Sequence, residues 1–277
     1  MWTVPRPSFD ARHVFIMCAT SIRDPEIRRR LSVLDTHVDH AAWTFANAAS
    51  RAELHTLGLF KKWPKDEDDQ AALKMAYATG MVRNKSGRYF YDHLMDAAVH
   101  QRCPLCGHGR VSTLDHQLPK SSYPLLAVVP DNLIPACSDC NHRKNSASPV
   151  SSETQTLHPY FDDANQARWL FAQVEHGEET TVRFYADPVA AFGPTMQARI
   201  RYHFEQFQLA TLYGVLAAQE LAGIRSQISR LREAAGPEAV ADEVRDRAES
   251  RAEYSLNCWQ SAMYEALAAD PGYLANG

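Results

Sequence analysis

Apolar residues recur every three or four positions over much of the chain, which is the spacing of amphipathic helices. Asp24-Pro25, a capping residue followed by the proline favoured in a first helical turn, predicts the start of one long helix. Its apolar positions are Ile27, Leu31, Leu34, Val38, Ala41 and Phe45. After the polar break KKWPKDEDDQ, two more helices are predicted, at residues 71–78 and 89–99. Residues 1–100 are therefore predicted to form a helical N-terminal region.

The pattern changes over residues 101–150, where short apolar runs alternate with prolines, asparagines and cysteines. VSTLDH and NLIPAC are predicted strands, and a helix is expected to begin at Ser138 or Asp139, which are good capping residues. This central region is thus predicted to run strand, loop, strand, helix.

Residues 151–277 return to a mainly helical pattern. The pattern predicts a helix around NQARWLFAQV, a strand at TTVRFYA, and two long helices over residues 195–235 and 237–268. The long helices are separated at Gly236-Pro237 and are expected to pack as an antiparallel hairpin. The predicted fold class is α+β, mainly α-helical, with a central module between N-terminal and C-terminal helices.

Composition and charge limit the classes of function. With 277 residues, of which 45% are hydrophobic, the chain can bury a substantial core. A formal net charge of -4 does not favour a generic basic nucleic-acid binder, so any such contact requires a local positive patch. The sequence has no GxxxxGK[ST] motif, and neither a signal peptide nor a membrane span is predicted. A cytoplasmic protein without its own nucleotide hydrolysis is expected.

Four of the six cysteines form two CxxC pairs, Cys103 with Cys106 and Cys137 with Cys140. Paired cysteines at this spacing in a reducing compartment are typical of a structural zinc site, because four thiolates complete a tetrahedron. A zinc ion with four sulfur ligands has no open position for chemistry. Catalysis would therefore depend on the residues that the cysteines bring together.

The region around these cysteines resembles a known family. Between Arg102 and Ser148 the chain reads CPLCG, TLDHQLPKSSYP and DNLIPACSDCNHRKN, with an Asp-His pair, a central asparagine, CxxCN and a lysine three residues later. These motifs resemble the HNH endonucleases, in the subgroup whose ββα-metal motif lies within a cysteine-ligated zinc knuckle. The resemblance implies a treble-clef-like nuclease module at residues 101–150.

The resemblance also implies a role for each motif residue. His116 would be the general base, and Asp115 and Asn141 would bind a catalytic Mg²⁺ or Mn²⁺ ion. Asn132 would brace the loop and orient His116. The original motif ends in histidine where this chain has Asn141, so His142 and Asn145 remain alternatives as metal ligands or supporting groups.

Three further basic residues, Lys120, Arg143 and Lys144, flank these positions and could contact phosphates or simply be solvated surface charge. The expected function is metal-dependent hydrolysis of phosphodiester bonds in DNA. A non-cleaving, zinc-stabilised binding or interaction module and an RNA-cleaving nuclease are the alternatives. Related modules act in restriction and antiviral defence, sometimes with a separate ATPase, and the apolar helix faces also leave a homo-oligomer open.

Overall fold

A computed structural model describes residues 3–276 of the chain. Helices account for 58% of the chain and the strands are short, so the fold is mainly α with some β, as predicted. The helices are α1 Ala11–Thr20, α2 Pro25–Ser32, α3 Asp35–Ser50, α4 Glu67–Met75, α5 Lys85–Asp96, α6 Ser138–Lys144, α7 Pro194–Gln206, α8 Leu209–Tyr254, α9 Trp259–Ala269 and α10 Pro271–Asn276. The strands are β1 Thr113–His116, β2 Leu133–Ala136, β3 Leu170–Glu175 and β4 Thr181–Ala186.

The described residues form two compact units, at residues 3–163 and 164–276. This division differs from the three regions expected from the sequence, because the helices before residue 100 share one core with the segment that follows them. Phe15, Phe45 and Leu94 from the helices pack in the same cluster as Leu118 and Leu133 from the central segment. The predicted boundary at residue 100 therefore lies inside the N-terminal unit.

The single long helix predicted after Asp24-Pro25 is wrong, because the chain forms α2 and α3 instead. Asp24 does cap α2, accepting hydrogen bonds from the backbone of Glu26 and Ile27. The helix ends where the Ser32 hydroxyl donates to the Arg29 carbonyl and the N–H of Leu34 donates only three residues back. Such local bonds compete with the helical ladder. The apolar spacing continues across the break between α2 and α3, so the sequence pattern could not reveal this break.

The next two helices both begin earlier than predicted. Asp66 caps α4 at residue 67, and α4 passes into a π-helical turn at Ala76–Met81. Gly80 in this turn lies against α1, since a Cβ atom there would be 2.5 Å from the Cys18 carbonyl oxygen. A glycine is therefore required for the close packing of the two segments.

The two predicted central strands and the helix after them are confirmed. β1 and β2 are antiparallel, with Asp115 opposite Ile134 and His116 opposite Leu133. α6 follows β2 directly, and its capping residue is Cys137 rather than Ser138 or Asp139, because the Cys137 sulfur accepts from the N–H of Cys140. One cysteine thus ends the strand and begins the helix.

In the C-terminal unit, the helix predicted around NQARWLFAQV is wrong and the strand predicted at TTVRFYA is confirmed. Residues 170–175 form β3, antiparallel to β4, with Val174 opposite Val182. At the start of β3 the N–H groups of Trp169 and Leu170 donate to the Asn257 side chain. Backbone hydrogen bonds with β4, and those that the Asn257 side-chain oxygen accepts, therefore stabilise an extended segment whose apolar residues also suit a helix.

The two long C-terminal helices are shorter than predicted, although the break at Gly236 is confirmed. Gly236 has φ +82° and interrupts α8, and hydrogen bonds from Gln227 to Glu243 and from Arg247 to Gln227 show that the two halves are antiparallel. Gln208, with φ +50°, separates α7 from α8. None of the helices in the described part of the chain has the length and apolar content needed to span a membrane.

Candidate functional site

The four CxxC cysteines meet in one buried cluster. Their sulfur atoms all lie within 4.8 Å of one another, and none forms a disulfide. The Sγ atoms of Cys106 and Cys137 are 3.9 Å apart, close to the roughly 3.8 Å edge of a tetrahedron with Zn–S bonds of about 2.3 Å. The cluster therefore fits a metal ion, and its sulfur donors fit zinc.

Each cysteine pair has the backbone turn that sulfur ligands require. The N–H of Gly109 donates to the Cys106 sulfur, as the N–H of Cys140 does to that of Cys137. A Cβ atom on Gly109 would be 2.7 Å from the Cys137 sulfur, so only glycine fits there. Hydrogen bonds from neighbouring thiols, first that of Cys103, lower the pKa of Cys106. The same kind of contact lowers the pKa of Cys137 and raises those of Cys103 and Cys140, so two of the four sulfurs favour the thiolate, the form that binds metal.

Beside this cluster, a cavity of about 340 Å³ brings together several of the predicted site residues. Asp115 and His116 reach it from the end of β1, and Asn141 reaches it from α6. The cavity is lined by Lys74, Asp115, His116, Pro119, Lys120, Ser121, Asn141, His142, Asn145 and Ser146. The end of β1 and the helix α6 line the same cavity because the cysteines join the chain segment before β1 to the start of α6.

The ring of His116 is buried and held in one orientation. Its Nε2 lies 2.9 Å from the Ala127 carbonyl oxygen, and since a carbonyl only accepts, Nε2 carries the proton. The Tyr77 ring packs edge-on against it, with centroids 4.5 Å apart. Burial lowers the pKa of His116 to about 3, so the ring is neutral near pH 7. Its Nδ1 has no hydrogen-bond partner among residues 3–276, so this nitrogen can accept a proton.

Asp115 is also buried, and its carboxylate faces the ammonium of Lys144. The Lys144 nitrogen lies 3.4 Å from Oδ1 and 3.3 Å from Oδ2 of Asp115. Within the described residues Oδ2 is buried and makes this ion-pair contact without a hydrogen bond. Burial raises the pKa of Asp115, and Lys144 opposes that shift. One carboxylate oxygen therefore remains available to a further cation.

Asn132 is fully buried and braces the loop between the strands. Its side-chain oxygen accepts from the N–H of Leu118 at 2.7 Å, and its amide nitrogen donates to the carbonyls of Leu118 and Leu126, each at 3.0 Å. Leu126 precedes Ala127, whose carbonyl oxygen accepts the hydrogen bond from His116 Nε2. Asn132 thus acts on His116 through the loop backbone.

Of the remaining predicted residues, three line the cavity and two do not. Lys120, His142 and Asn145 line the cavity. Lys144 is buried, and its ammonium also donates to the His116 carbonyl at 2.5 Å, so it does not extend toward a ligand as a surface lysine would. Arg143 is exposed and lies outside the cavity lining described here.

The sequence did not indicate the residues that the N-terminal helices contribute. Lys74, in the last turn of α4, lines the cavity, and Tyr77 in the π-helical turn contacts both His116 and Lys120. π-helical turns are frequent at functional sites. No motif marks these residues, because their contacts join positions about forty residues apart in sequence.

Comparison with known proteins gives one relative of limited coverage. The chain is 31% identical to protein ea31 of Escherichia phage lambda over 149 residues. The match covers 52% of this chain and 50% of the relative, so the chain spans about half the length of the protein it matches. No family model and no solved structure matches the chain.

The depressed pKa of His116 has a measurable effect on stability. A histidine of pKa 6.5 in the unfolded chain and about 3 in the folded protein binds more protons when unfolded. The contribution of the neutral, buried His116 to the free energy of unfolding is therefore fully present above pH 6.5 and is lost as the pH falls toward 3. Between pH 7 and pH 5, wild type should lose about 2 kcal/mol more free energy of unfolding than His116→Gln.

Urea unfolding of both proteins at the two pH values measures this difference. The ionisation of other groups affects both proteins equally, so it cancels when the two losses of stability are compared. Equal losses of stability in the two proteins would contradict a buried, neutral His116.

Proposed function

We propose that the chain is a metal-dependent endonuclease of the HNH type that hydrolyses phosphodiester bonds in nucleic acid, with DNA as the expected substrate. The observation that carries the proposal is the cavity in which Asp115, His116 and Asn141 meet beside the four-cysteine cluster. These side chains supply a carboxylate, a neutral imidazole and an amide oxygen, which are the groups that such hydrolysis uses. Zinc at the cysteines would hold the strand and the helix that carry them.

The donor set supports a hard divalent ion at Asp115. Its buried Oδ2 has no hydrogen bond within the described chain, and Asn141 offers a neutral oxygen in the same cavity. Two oxygen donors, with water in the other positions, suit Mg²⁺ or Mn²⁺ better than zinc. Asp115 and Asn141 would hold this ion, with His142 and Asn145 as further cavity donors. The ion would offset negative charge on the phosphate and the leaving oxygen.

His116 has the protonation state that a general base needs. Because Nε2 donates to the Ala127 carbonyl, Nδ1 is the nitrogen that would take a proton from the attacking water. The carbonyl keeps the Nε2 proton in place while Nδ1 changes state. Asn132 fixes the loop that carries this carbonyl, so it is a positioning residue in the proposal.

Cleavage assays with and without added Mg²⁺ or Mn²⁺ test the proposal on supercoiled plasmid, single-stranded DNA and RNA. Wild type is expected to cut one or more of these with added metal, and His116→Ala should lower the rate by roughly 10²-fold or more. His40→Ala is a matched control, since Asp39-His40 is another Asp-His pair and is exposed on α3. It should keep the wild-type rate.

Equal cutting by wild type and His116→Ala would overturn the assignment of the base. Absence of cutting on every substrate would leave the non-cleaving binding module as the better reading. Cutting of RNA alone would support the RNA-cleaving alternative. A separate ATPase partner, a role in defence and self-association remain proposals that purification of native complexes would test.

A further inference from the structure

We propose that Lys74 and Lys120 form a phosphate-binding site that holds a backbone phosphate of the nucleic acid next to the one that is cut. The inference rests on the proposed function for the identity of the polymer. It assigns to the N-terminal helices a direct part in substrate binding, through Lys74, and it gives the half-buried Lys120 a partner.

The first argument is the placement of the two ammonium groups. Lys74 ends α4 and Lys120 follows β1, yet both line the cavity that contains Asp115 and His116. A cavity of about 340 Å³ has room for a phosphodiester and part of a neighbouring nucleotide. A phosphate beside the reacting one would enter a cavity whose lining carries both lysines.

The second argument is the charge of the cavity. Among the lining residues that the structure describes, Asp115 is the one acidic side chain, and the buried Lys144 already faces it. The charges of Lys74 and Lys120 therefore remain as a local excess in a chain with a net charge of -4. A positive cavity in an acidic protein favours a negatively charged ligand.

The third argument is that Lys120 is held in position by an aromatic ring. Its ammonium lies over the Tyr77 ring, 5.0 Å from the centroid, and the same ring packs against His116. This cation–π contact limits the motion of the side chain without using its hydrogen-bond donors. The contact with Tyr77 therefore leaves the donors of Lys120 free for a ligand in the cavity that it lines, and the shared ring ties its position to that of His116.

A different role for Lys74 is purely structural, because it lies in the last turn of a helix whose first turn is acidic. A lysine at that place interacts favourably with the helix dipole and need not bind anything. Under that alternative, replacing Lys74 would change stability and leave nucleic-acid binding unchanged. The two roles are therefore separable by a binding measurement.

The test measures nucleic-acid binding by fluorescence anisotropy in the His116→Ala background, so that the probe is not cut. Fluorescein-labelled 20-nucleotide single-stranded DNA, its duplex and the matching RNA are titrated between 50 and 200 mM KCl, without chelator or added divalent ion. Variants are Lys74→Gln, Lys120→Gln and the corresponding arginine substitutions. Lys85→Gln is the control, because Lys85 is an exposed lysine outside the cavity lining.

Each glutamine substitution should lower the slope of log affinity against log salt by about 0.7–0.9, which weakens binding about five- to eightfold at 100 mM salt. The arginine variants should keep the slope of the His116→Ala parent protein, and Lys85→Gln should have the slope and affinity of that parent. Slopes and affinities of Lys74→Gln and Lys120→Gln equal to those of the Lys85→Gln control would overturn the inference. So would failure of the His116→Ala parent protein to bind any of the probes.

The outcome also separates this inference from the proposed nuclease function. Altered salt slopes in a protein that never cuts would support the phosphate site and reject the nuclease. Metal-dependent cutting with unchanged slopes would support the nuclease and reject the phosphate site.

Discussion

Replacing Cys106 by serine is expected to abolish stoichiometric zinc binding and to unfold the segment around β1, β2 and α6. Structural zinc contributes about 10–16 kcal/mol of binding free energy in small zinc modules, and that energy is coupled to folding. Here the four sulfur atoms are the contacts that join the turn at residues 103–109 to the start of α6. Elemental analysis of the purified protein and hydrogen exchange of residues 103–144 measure the two effects.

The apolar core of the N-terminal unit limits how far this unfolding spreads. Phe15, Phe45 and Leu94 share this core with the central segment, but α1–α5 supply none of the cysteines in the cluster, so these helices should keep more of their protection from exchange than residues 103–144. Cys258→Ser is a matched control, because Cys258 caps α9 in the C-terminal unit and serine is a good capping residue. Full zinc content in Cys106→Ser, or zinc-free wild type with intact protection, would contradict the assignment of the cluster.

Replacing Lys144 by methionine is expected to lower the free energy of unfolding by about 3–5 kcal/mol. The ammonium of Lys144 and the carboxylate of Asp115 are each 3–4% exposed, so neither is solvated by bulk water. Methionine fills similar space but leaves Asp115 as a buried charge without a partner, and it also removes the donor to the His116 carbonyl. Urea unfolding at neutral pH measures the loss.

The size of this effect depends on burial, and an exposed ion pair of the same unit provides the control. Arg51 lies 2.7 Å from Glu53, and both side chains are largely exposed. Arg51→Met should therefore cost at most about 1 kcal/mol. A second variant, Asp115→Asn combined with Lys144→Met, also removes the carboxylate charge that Lys144→Met alone leaves without a partner. It should therefore regain part of the stability. A loss for Lys144→Met no larger than that for Arg51→Met would contradict a buried ion pair.

Features that depend on neighbouring residues were predictable from the sequence. The CxxC spacing gave the cysteine cluster, and the short apolar runs gave β1 and β2. The glycine at 236 marked a real break, because its φ of +82° is one that few other residues adopt. In each case the physical cause lies within a few residues of the signal.

Features that depend on distant contacts were not predictable. Residues 170–175 are apolar enough for a helix, and they form a strand because they pair with the neighbouring β4 and because Asn257, 87 residues beyond Leu170, accepts from the start of the strand. The break between α2 and α3, where the Ser32 hydroxyl donates to the Arg29 carbonyl, lies within an uninterrupted apolar pattern. Lys74 and Tyr77 reach the cavity through tertiary packing and a π-helical turn. The candidate site was therefore predictable within the cysteine module and hidden outside it.

The hydrogen bond from His116 to the carbonyl oxygen of Ala127 determines which ring nitrogen of the histidine carries the proton. If the peptide plane after Ala127 rotated, the acceptor would be lost and either ring nitrogen could carry the proton. Which ring nitrogen carries the proton thus depends partly on the backbone dihedral angles of residues 124–129, which no side-chain motif records. Comparisons of related chains that score only motif letters would overlook changes in this loop that alter the tautomer of His116.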